Sequence, residues 1–502
     1  MESLCAVAQR FIERSSSTVG PVAKGNIKAS SKARSSGVVK QGAEPGSGLG
    51  SSLISVARDR AFRAIVGRAK VFPEINTGDL DESGLDSRDG ALVHMIVDTV
   101  CRHWLTLEFL IDLHCKEPLR DVEHKMQAVL LGGAAQIVYM DRVPVHAAID
   151  TAVEWAKKYV RPGAGGMVNA VLRRVAEMVG AGEDRARRGA WTNQRDELLM
   201  RDGSALVLSS PVLPDQITAR TAIVTSHPIG LVRRWVSQLG ADEALRVAAH
   251  SLAVPPVTLN SAFVRAPLPD MDGAGMGCTR HATTGCHVAH EPGPWLGEML
   301  SVRDDVWVQD AASVLAIRSI ADLRPKVVAD VCAGQGTKTR QLAATFPDAE
   351  IWASDPDPAR SAVLATVFKG SAQVRVVSPL KLAESVRGKV ELALLDVPCS
   401  NTGVLARRAE AKYRCGPEQL ERLVTLQKEI FEATAGLMAP GSSMLYSTCS
   451  LDDGENIEVV EGAARVFEAK LSRANRTLPS GRPGGAAEEY SDGAFSALLS
   501  RK

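Results

Sequence analysis

The sequence predicts two folded regions of different class: an all-α helical domain and, after it, a doubly wound α/β domain with a mostly parallel sheet. Three observations carry the prediction. The chain has 502 residues, more than one compact core organises. Between 51 and 180, apolar residues recur at spacings of three and four, the helical period. From 326 onward short apolar runs alternate with helical segments, and strands alternating with helices build a parallel sheet covered on both faces.

Residues 1–50 are rich in Ser, Gly, Ala and Lys, as in KGNIKASSKARSSGVVKQG, and hold too little apolar surface to offset the entropy of ordering. They read as a flexible basic tail; Glu2 and Glu13 fit a transit peptide poorly. Residues 51–180 read as a bundle of five to seven helices. Leu53, Val56, Ala57, Ala61 and Ile65 mark the first, and Leu92, Met95, Ile96, Thr99 and Val100 the next. VEHKMQAVLLGGAAQIVYM, AAIDTAVEWAKKYV and GGMVNAVLRRVAEMV follow, separated by Gly and Pro breaks. Residues 181–325 read as a connector and small subdomain: polar to about 220, then the amphipathic helix SHPIGLVRRWVSQLG, then a Gly-, Pro- and His-rich loop insertion near 264–300. Residues 326–502 form the α/β domain. Its strands are KVVADV, EIWASD, VRVV, ELALLDVP and SSMLYSTCS, with helices such as TRQLAATF and PEQLERLVTLQKEIFEATAGLM between them.

Composition narrows the function classes. Lys and Arg number 59 against 58 Asp and Glu, which excludes a globally basic nucleic-acid coat but leaves room for a local basic groove. Aromatics are 4%, too few for binding built mainly on exposed stacking rings. No apolar run is long enough for a transmembrane helix. The nine cysteines are odd in number and irregularly spaced, which points to reduced thiols in a cytoplasmic protein rather than a secreted disulfide scaffold.

The first α/β strand runs into Asp330, Val331, Cys332, Ala333, Gly334, Gln335, Gly336, Thr337 and Lys338, and a helix follows. Small residues there let a ligand approach the backbone. The spacing is neither that of a Walker loop nor G-x-G-x-x-G. The second strand ends at Asp355, placed to accept hydrogen bonds from ribose hydroxyls. Together they indicate an adenosine-containing cofactor; an ordinary tight strand-helix turn is the alternative. Two further strands end in Asp396-Val397-Pro398-Cys399 and Ser447-Thr448-Cys449. Two thiols and a carboxylate at the sheet edge form a nucleophile constellation, the alternative being two buried structural cysteines.

DVCAGQGTKT, LLDVPCSNTGVLARR, YSTCSLDDGEN and DGAFSALLSRK together resemble the Sun (RsmB) family of RNA cytosine-5 methyltransferases. DRVPVHAAIDTAVEWAKK and GGMVNAVLRR resemble the NusB-type RNA-binding domain that precedes the catalytic domain in bacterial members, and SHPIGLVRRWVSQLG and VQDAASVL its linker segments. The resemblance implies a Rossmann-like methyltransferase domain, S-adenosylmethionine as cofactor and RNA as partner, either 16S rRNA or a small-subunit assembly intermediate. It also implies a monomer and no membrane. It places the cofactor on Cys332, Ala333, Gly334, Gln335, Gly336, Thr337, Lys338, Asp355 and Asp396. It makes Cys449 the nucleophile toward carbon 6 of cytosine, Cys399 the residue that helps release the covalent adduct, and Asp396 a clamp on the cytosine edge. Glu455 and Asn456 would position the Cys449 loop, and Arg407 and Arg408 contact phosphate or base unless they are simply solvated. The same chemistry on tRNA or another RNA, or a non-catalytic RNA-binding or ribosome-assembly protein with this fold, are the alternatives. Two departures stand out. Gln335-Gly336-Thr337 replaces the family's Pro-Gly-Gly, and the third strand offers Ser378 where the family has an acidic residue for the adenine amine.

Several other groups read more simply. Cys278, His281, Cys286, His287 and His290 are expected to lie on a mobile loop rather than on a metal. His227 reads as a helix-entry residue, Trp235 and Trp307 as core anchors, and Arg173 and Arg174 as solvated helix charges.

Overall fold

The computed structural model describes residues 54–78, 80–180, 185–273 and 275–501. The predicted basic tail at 1–50, and Leu53, lie outside them.

Five helices form the first region: α1 (Val56–Ala69), α2 (Ser87–Asp112), α3 (His124–Tyr139), α4 (Val145–Tyr159) and α5 (Ala164–Val179). Side-chain caps start the first two: Ser55 accepts from the Arg58 amide ahead of α1, and Asp86 from the Asp89 amide ahead of α2. Ala57, Ala61, Phe62 and Ile65 turn one stripe of α1 inward. Burying each large apolar side chain of such a stripe contributes about 1.5–3 kcal/mol. Met95 falls off the inner line of α2, which runs through Val93, Ile96, Val97 and Val100, and it is exposed. α3 is buried along almost its whole length. Gly132 and Gly133 let it approach α1 and α5, since a Cβ there would lie 2.6 Å from Phe62 and from Leu172. α2 is not continuous: His103 has φ −119° and ψ 22°, which breaks the helical ladder.

The 181–325 region holds more structure than its sequence suggests. A three-stranded antiparallel sheet, order β1-β3-β2, is made by β1 (Arg187–Arg188), β2 (Glu197–Leu199) and β3 (Ala205–Val207), and its Leu198 and Leu206 join the helical core. Helices α6 (Ile217–Val224), α7 (Ile229–Leu239) and α8 (Ala241–His250) follow. The segment read as a loop insertion near 264–300 is instead part of a second antiparallel sheet. Its order is β5-β6-β4-β7, from β4 (Val257–Asn260), β5 (Gly277–Arg280), β6 (Cys286–His290) and β7 (Trp307–Val308), with α9 (Pro294–Val302) behind β6. Glycine and histidine obscured a short hairpin that buries Cys278, Cys286, Val288 and Ala289. The expectation of a mobile loop is therefore corrected.

After α10 (Ala311–Arg318) comes a seven-stranded sheet in the order β10-β9-β8-β11-β12-β14-β13. Its strands are β8 (Val327–Asp330), β9 (Glu350–Ala353), β10 (Val374–Val376), β11 (Val390–Asp396), β12 (Met438–Thr448), β13 (Ala469–Thr477) and β14 (Ala494–Arg501). The helices between them are α11 (Thr337–Thr345), α12 (Pro358–Val367), α13 (Pro379–Val386), α14 (Pro417–Ala435) and α15 (Ile457–Val466). β8 to β12 pair in parallel, and β14 runs antiparallel to both neighbours. Ala393, Leu394 and Leu395 of β11 are fully buried, as a strand covered on both faces requires. The order reverses between β8 and β11, so a crevice opens at their carboxyl ends. Among the described residues no helix is long and apolar enough to cross a membrane.

Candidate active site

That crevice is a cavity of about 430 Å³ lined from both sides of the switch point. Cys332, Ala333, Gly334, Gln335, Thr337, Lys338, Asp355, Asp396, Cys399 and Cys449 all line it. Gly336, the remaining residue expected at a cofactor, does not. It caps α11 at φ +94°, and a Cβ there would come 2.7 Å from Phe368 and 2.9 Å from Leu364. Its role is to let α11 pack on α12. Gly336→Ala is accordingly expected to destabilise the protein by about 1–3 kcal/mol. Gly334→Ala, at φ +57° in open space, should cost less. Equal thermal midpoints for the two variants would contradict this.

The loop after β8 is held by its neighbour strand. The Gly334 amide donates to Asp355 Oδ2 at 2.9 Å, and the Asp357 amide to Asp355 Oδ1 at 2.9 Å. Both oxygens are thereby aimed, while a carboxylate keeps lone pairs for a ligand. Lys338, one of the residues expected at the cofactor, reaches across the crevice: its Nζ donates to Asp396 Oδ1 at 2.8 Å. Burial works against its ammonium, but Asp396 outweighs burial and the net shift is upward.

Cys399 and Cys449 meet at the ends of β11 and β12, Sγ to Sγ 3.1 Å. β11 and β12 pair in register up to Asp396 and Ser447, which is what brings the two following loops together. Contact with Cys449, and then burial, push the Cys399 thiol well above its ordinary value. Cys449 donates to Asn401 Oδ1 at 3.2 Å, and Asn401 Nδ2 donates to the Cys399 carbonyl.

Glu455 ties these loops together from beneath. It accepts from the Ser400 amide at 2.8 Å, from the Ser400 and Ser450 hydroxyls and from Gln427, which also donates to the Pro398 carbonyl. Burial raises its carboxyl and these donors oppose the rise. Asn456 accepts from Thr448 and donates to the Ser450 carbonyl.

Arg407 is exposed to solvent yet engaged in ion pairs. It holds Asp492 at 2.7 Å and Asp310 at 3.1 Å, both on the cavity wall, and Tyr490 donates to Asp492. Arg408 pairs with Glu410 and lines the cavity. Ser378 accepts from the Lys381 amide as the cap of α13, so its hydroxyl is engaged locally.

Sequence reasoning missed Asp330, Asn401 and the Asp310–Arg407–Asp492 cluster. Asp330 is buried at the cavity, its carboxyl pushed up to about 7 by burial, and its Oδ1 finds no hydrogen-bond partner among the described residues. Its position at a strand end was the available signal. Asn401 sits at φ +60°, a conformation Asn tolerates, and S-N-T-G is a turn sequence that announced it.

The groups weighed as metal ligands or RNA contacts lie elsewhere. His281 pairs with the Tyr490 carbonyl, His287 with Ser261 and His290 with Thr279, and among the described residues no cluster suits a metal ion. His227 is buried just before α7, Trp235 is buried within it, Trp307 is buried in β7, and Arg173 and Arg174 are exposed on α5.

Comparison with known proteins agrees with this architecture. The NusB family matches residues 55–177, and the family described as 16S rRNA methyltransferase RsmB/F matches residues 321–485. The ribosomal RNA small subunit methyltransferase B of Vibrio cholerae is 27% identical over 435 residues, 83% of this chain and 90% of its own length. The probable ribosomal RNA small subunit methyltransferase B of Bacillus subtilis is 25% identical over 411 residues, 79% and 85% of the two chains. The crystal structure of PH0851 superposes with a TM-score of 0.63 at 18% identity, covering 88% of this chain and 98% of that one, so the fold is shared. With the helical domain and the doubly wound sheet in this order, the chain carries a NusB-family domain, matched over residues 55–177, ahead of a methyltransferase domain of the RsmB/F family, matched over residues 321–485.

Proposed function

We propose that the chain methylates carbon 5 of a cytosine in small-subunit ribosomal RNA, using S-adenosylmethionine and a covalent adduct on Cys449. The observation that carries this is the pair of thiols 3.1 Å apart beside the Lys338–Asp396 ion pair, in one cavity at the sheet's switch point. The rRNA substrate rests on the names of the relatives.

The residues fit the cofactor. Asp330 Oδ1, buried and unpaired, leaves an acceptor for a cationic amino-acid end, and Asp355 offers lone pairs to ribose hydroxyls. Gly334, Gln335, Thr337 and Lys338 would complete the cradle. When bound, S-adenosylmethionine supplies an electrophilic methyl group.

Carbon 5 of cytosine is a weak nucleophile. Cys449 thiolate adding to carbon 6 turns the ring into an enamine, splitting one difficult step into easier ones. Asp396, its Oδ1 fixed by Lys338, presents Oδ2 to the cytosine amine. Only one of two thiols in contact carries charge at a time. Cys399 therefore stays a thiol while Cys449 is the anion. Once Cys449 is bonded to carbon 6 that repulsion is gone, so Cys399 can lose its own proton to solvent and, as thiolate, take the proton from the methylated carbon 5. The sulfur–carbon 6 bond then breaks, the ring regains its double bond, and Cys449 leaves as thiolate. The target base must leave its stack to reach this depth.

Bisulfite mapping of total RNA, with small-subunit rRNA and tRNA read separately, with and without the purified protein tests the reading. One newly protected cytosine is expected. No protected cytosine overturns the chemistry, and protection confined to tRNA overturns the substrate.

A further inference from the structure

The segment that follows Cys399 ends inside the helical domain. Residues 409–414 form a short 3-10 turn whose Lys412 and Tyr413 are both buried, and Tyr413 belongs to the helical core. They meet α2 where His103 breaks it. A break leaves backbone groups without their helical partners, and leaving such groups buried is costly. Here four backbone groups around the break have partners outside the helix. Tyr413 donates to the Cys101 carbonyl at 2.8 Å and accepts from the Trp104 amide at 3.2 Å. Lys412 donates to the Arg102 carbonyl at 2.7 Å and to the Thr225 carbonyl at 3.1 Å. Ser226, at φ +57°, accepts from the Leu105 amide and shares a hydrogen bond with Tyr413. In return Arg102 donates to the Ala406 carbonyl at 2.9 Å.

The same stretch of chain shapes the site at its other end. The Gly403 amide donates to the Cys449 carbonyl at 2.8 Å, Thr402 accepts from the Leu451 amide, and Asn401 receives the Cys449 thiol. Between the two anchors the chain is a compact turn, with the Val404, Arg407 and Arg408 amides bonded within it. The cavity wall and the broken helix are thus ends of one strap.

We infer that Lys412 and Tyr413 are positioning residues: by docking into the break of α2 they set Asn401 and Cys399 against Cys449, so that the helical domain is part of the catalytic machinery as well as an RNA-binding module. The inference rests on the function proposed above. Burying a lysine without a carboxylate partner is costly, since burial pushes its ammonium well below the ordinary lysine range. Carbonyls at the end of a helical half favour a cation, which explains how the site tolerates it.

The test uses the full chain with Tyr413→Phe, which removes only the hydroxyl, and Lys412→Met, which keeps the bulk. Hydrogen exchange is expected to quicken about tenfold at the amides of 401–408, beyond the altered contacts. The kcat for methyl transfer should fall about tenfold while KM for both substrates stays within twofold. Quickening confined to 409–415 and to 100–107, or an unchanged kcat with a loosened strap, overturns the inference. Exchange needs no methyl transfer, so a wild-type chain inactive on every RNA would sink the function and leave the strap decided by exchange. If Tyr413→Phe does not fold, Lys412→Met gives both readouts alone.

Discussion

Cys449→Ala is expected to abolish transfer of labelled methyl to RNA, by about 10⁴-fold or more, since removing a nucleophile removes the covalent route entirely. Binding should survive. The Cys449 side chain contributes a thiol to the cavity wall, the contact with Cys399 and a hydrogen bond to Asn401, none of which holds the cofactor loop. The measurement is single-turnover transfer at saturating RNA and cofactor, alongside RNA affinity. Full activity would remove Cys449 from the mechanism, and lost affinity would make its loss structural.

Cys399→Ala should give the opposite phenotype: the reaction starts and does not finish. Cys449 keeps Asn401, Asp396 stays on Lys338, and adduct formation therefore proceeds. No thiol is left to remove the carbon 5 proton. A protein–RNA species that resists denaturation should accumulate, visible as a shifted band that carries the label. Its absence under turnover conditions would take the release role from Cys399. The two variants together distinguish the partners of a symmetric-looking thiol pair, because the geometry alone does not rank them. What ranks them is their setting: Cys399 is the more buried, held by contact with Cys449 and lifted above its ordinary value.

Much of this was legible in the residues. Alternation of apolar runs and helices pointed to the parallel sheet, and the strand ends pointed to the loop from Cys332 to Lys338, to Asp355, to Asp396 and to both thiols. What stayed hidden has common physical causes. β13 buries little of its surface and is dominated by Lys, Arg, Ser and Asn, so its composition does not announce a strand; pairing to β14 makes it one. The 277–290 hairpin hides behind Gly and His, which read as a loop until cross-strand partners are known. The ion pairs of Arg407 were hidden because its partners Asp310 and Asp492 are 97 and 85 residues away. Gly336 looked like a ligand-facing glycine because sequence separates neither the two faces of a turn nor their packing partners.

The break in α2 also has a history within each molecule. At about 5–20 residues per second, the 310 residues separating Arg102 from Lys412 take roughly 15–60 s to emerge from a ribosome. For that interval the early-made helices can pack on one another. The carbonyls of Cys101 and Arg102 nevertheless wait in water, and Phe72, whose ring later meets that of Tyr413, has an open slot beside it. The nascent protein thus carries an unfinished seam that closes only when its later half arrives, and a fragment ending before residue 409 would keep that seam open for its lifetime.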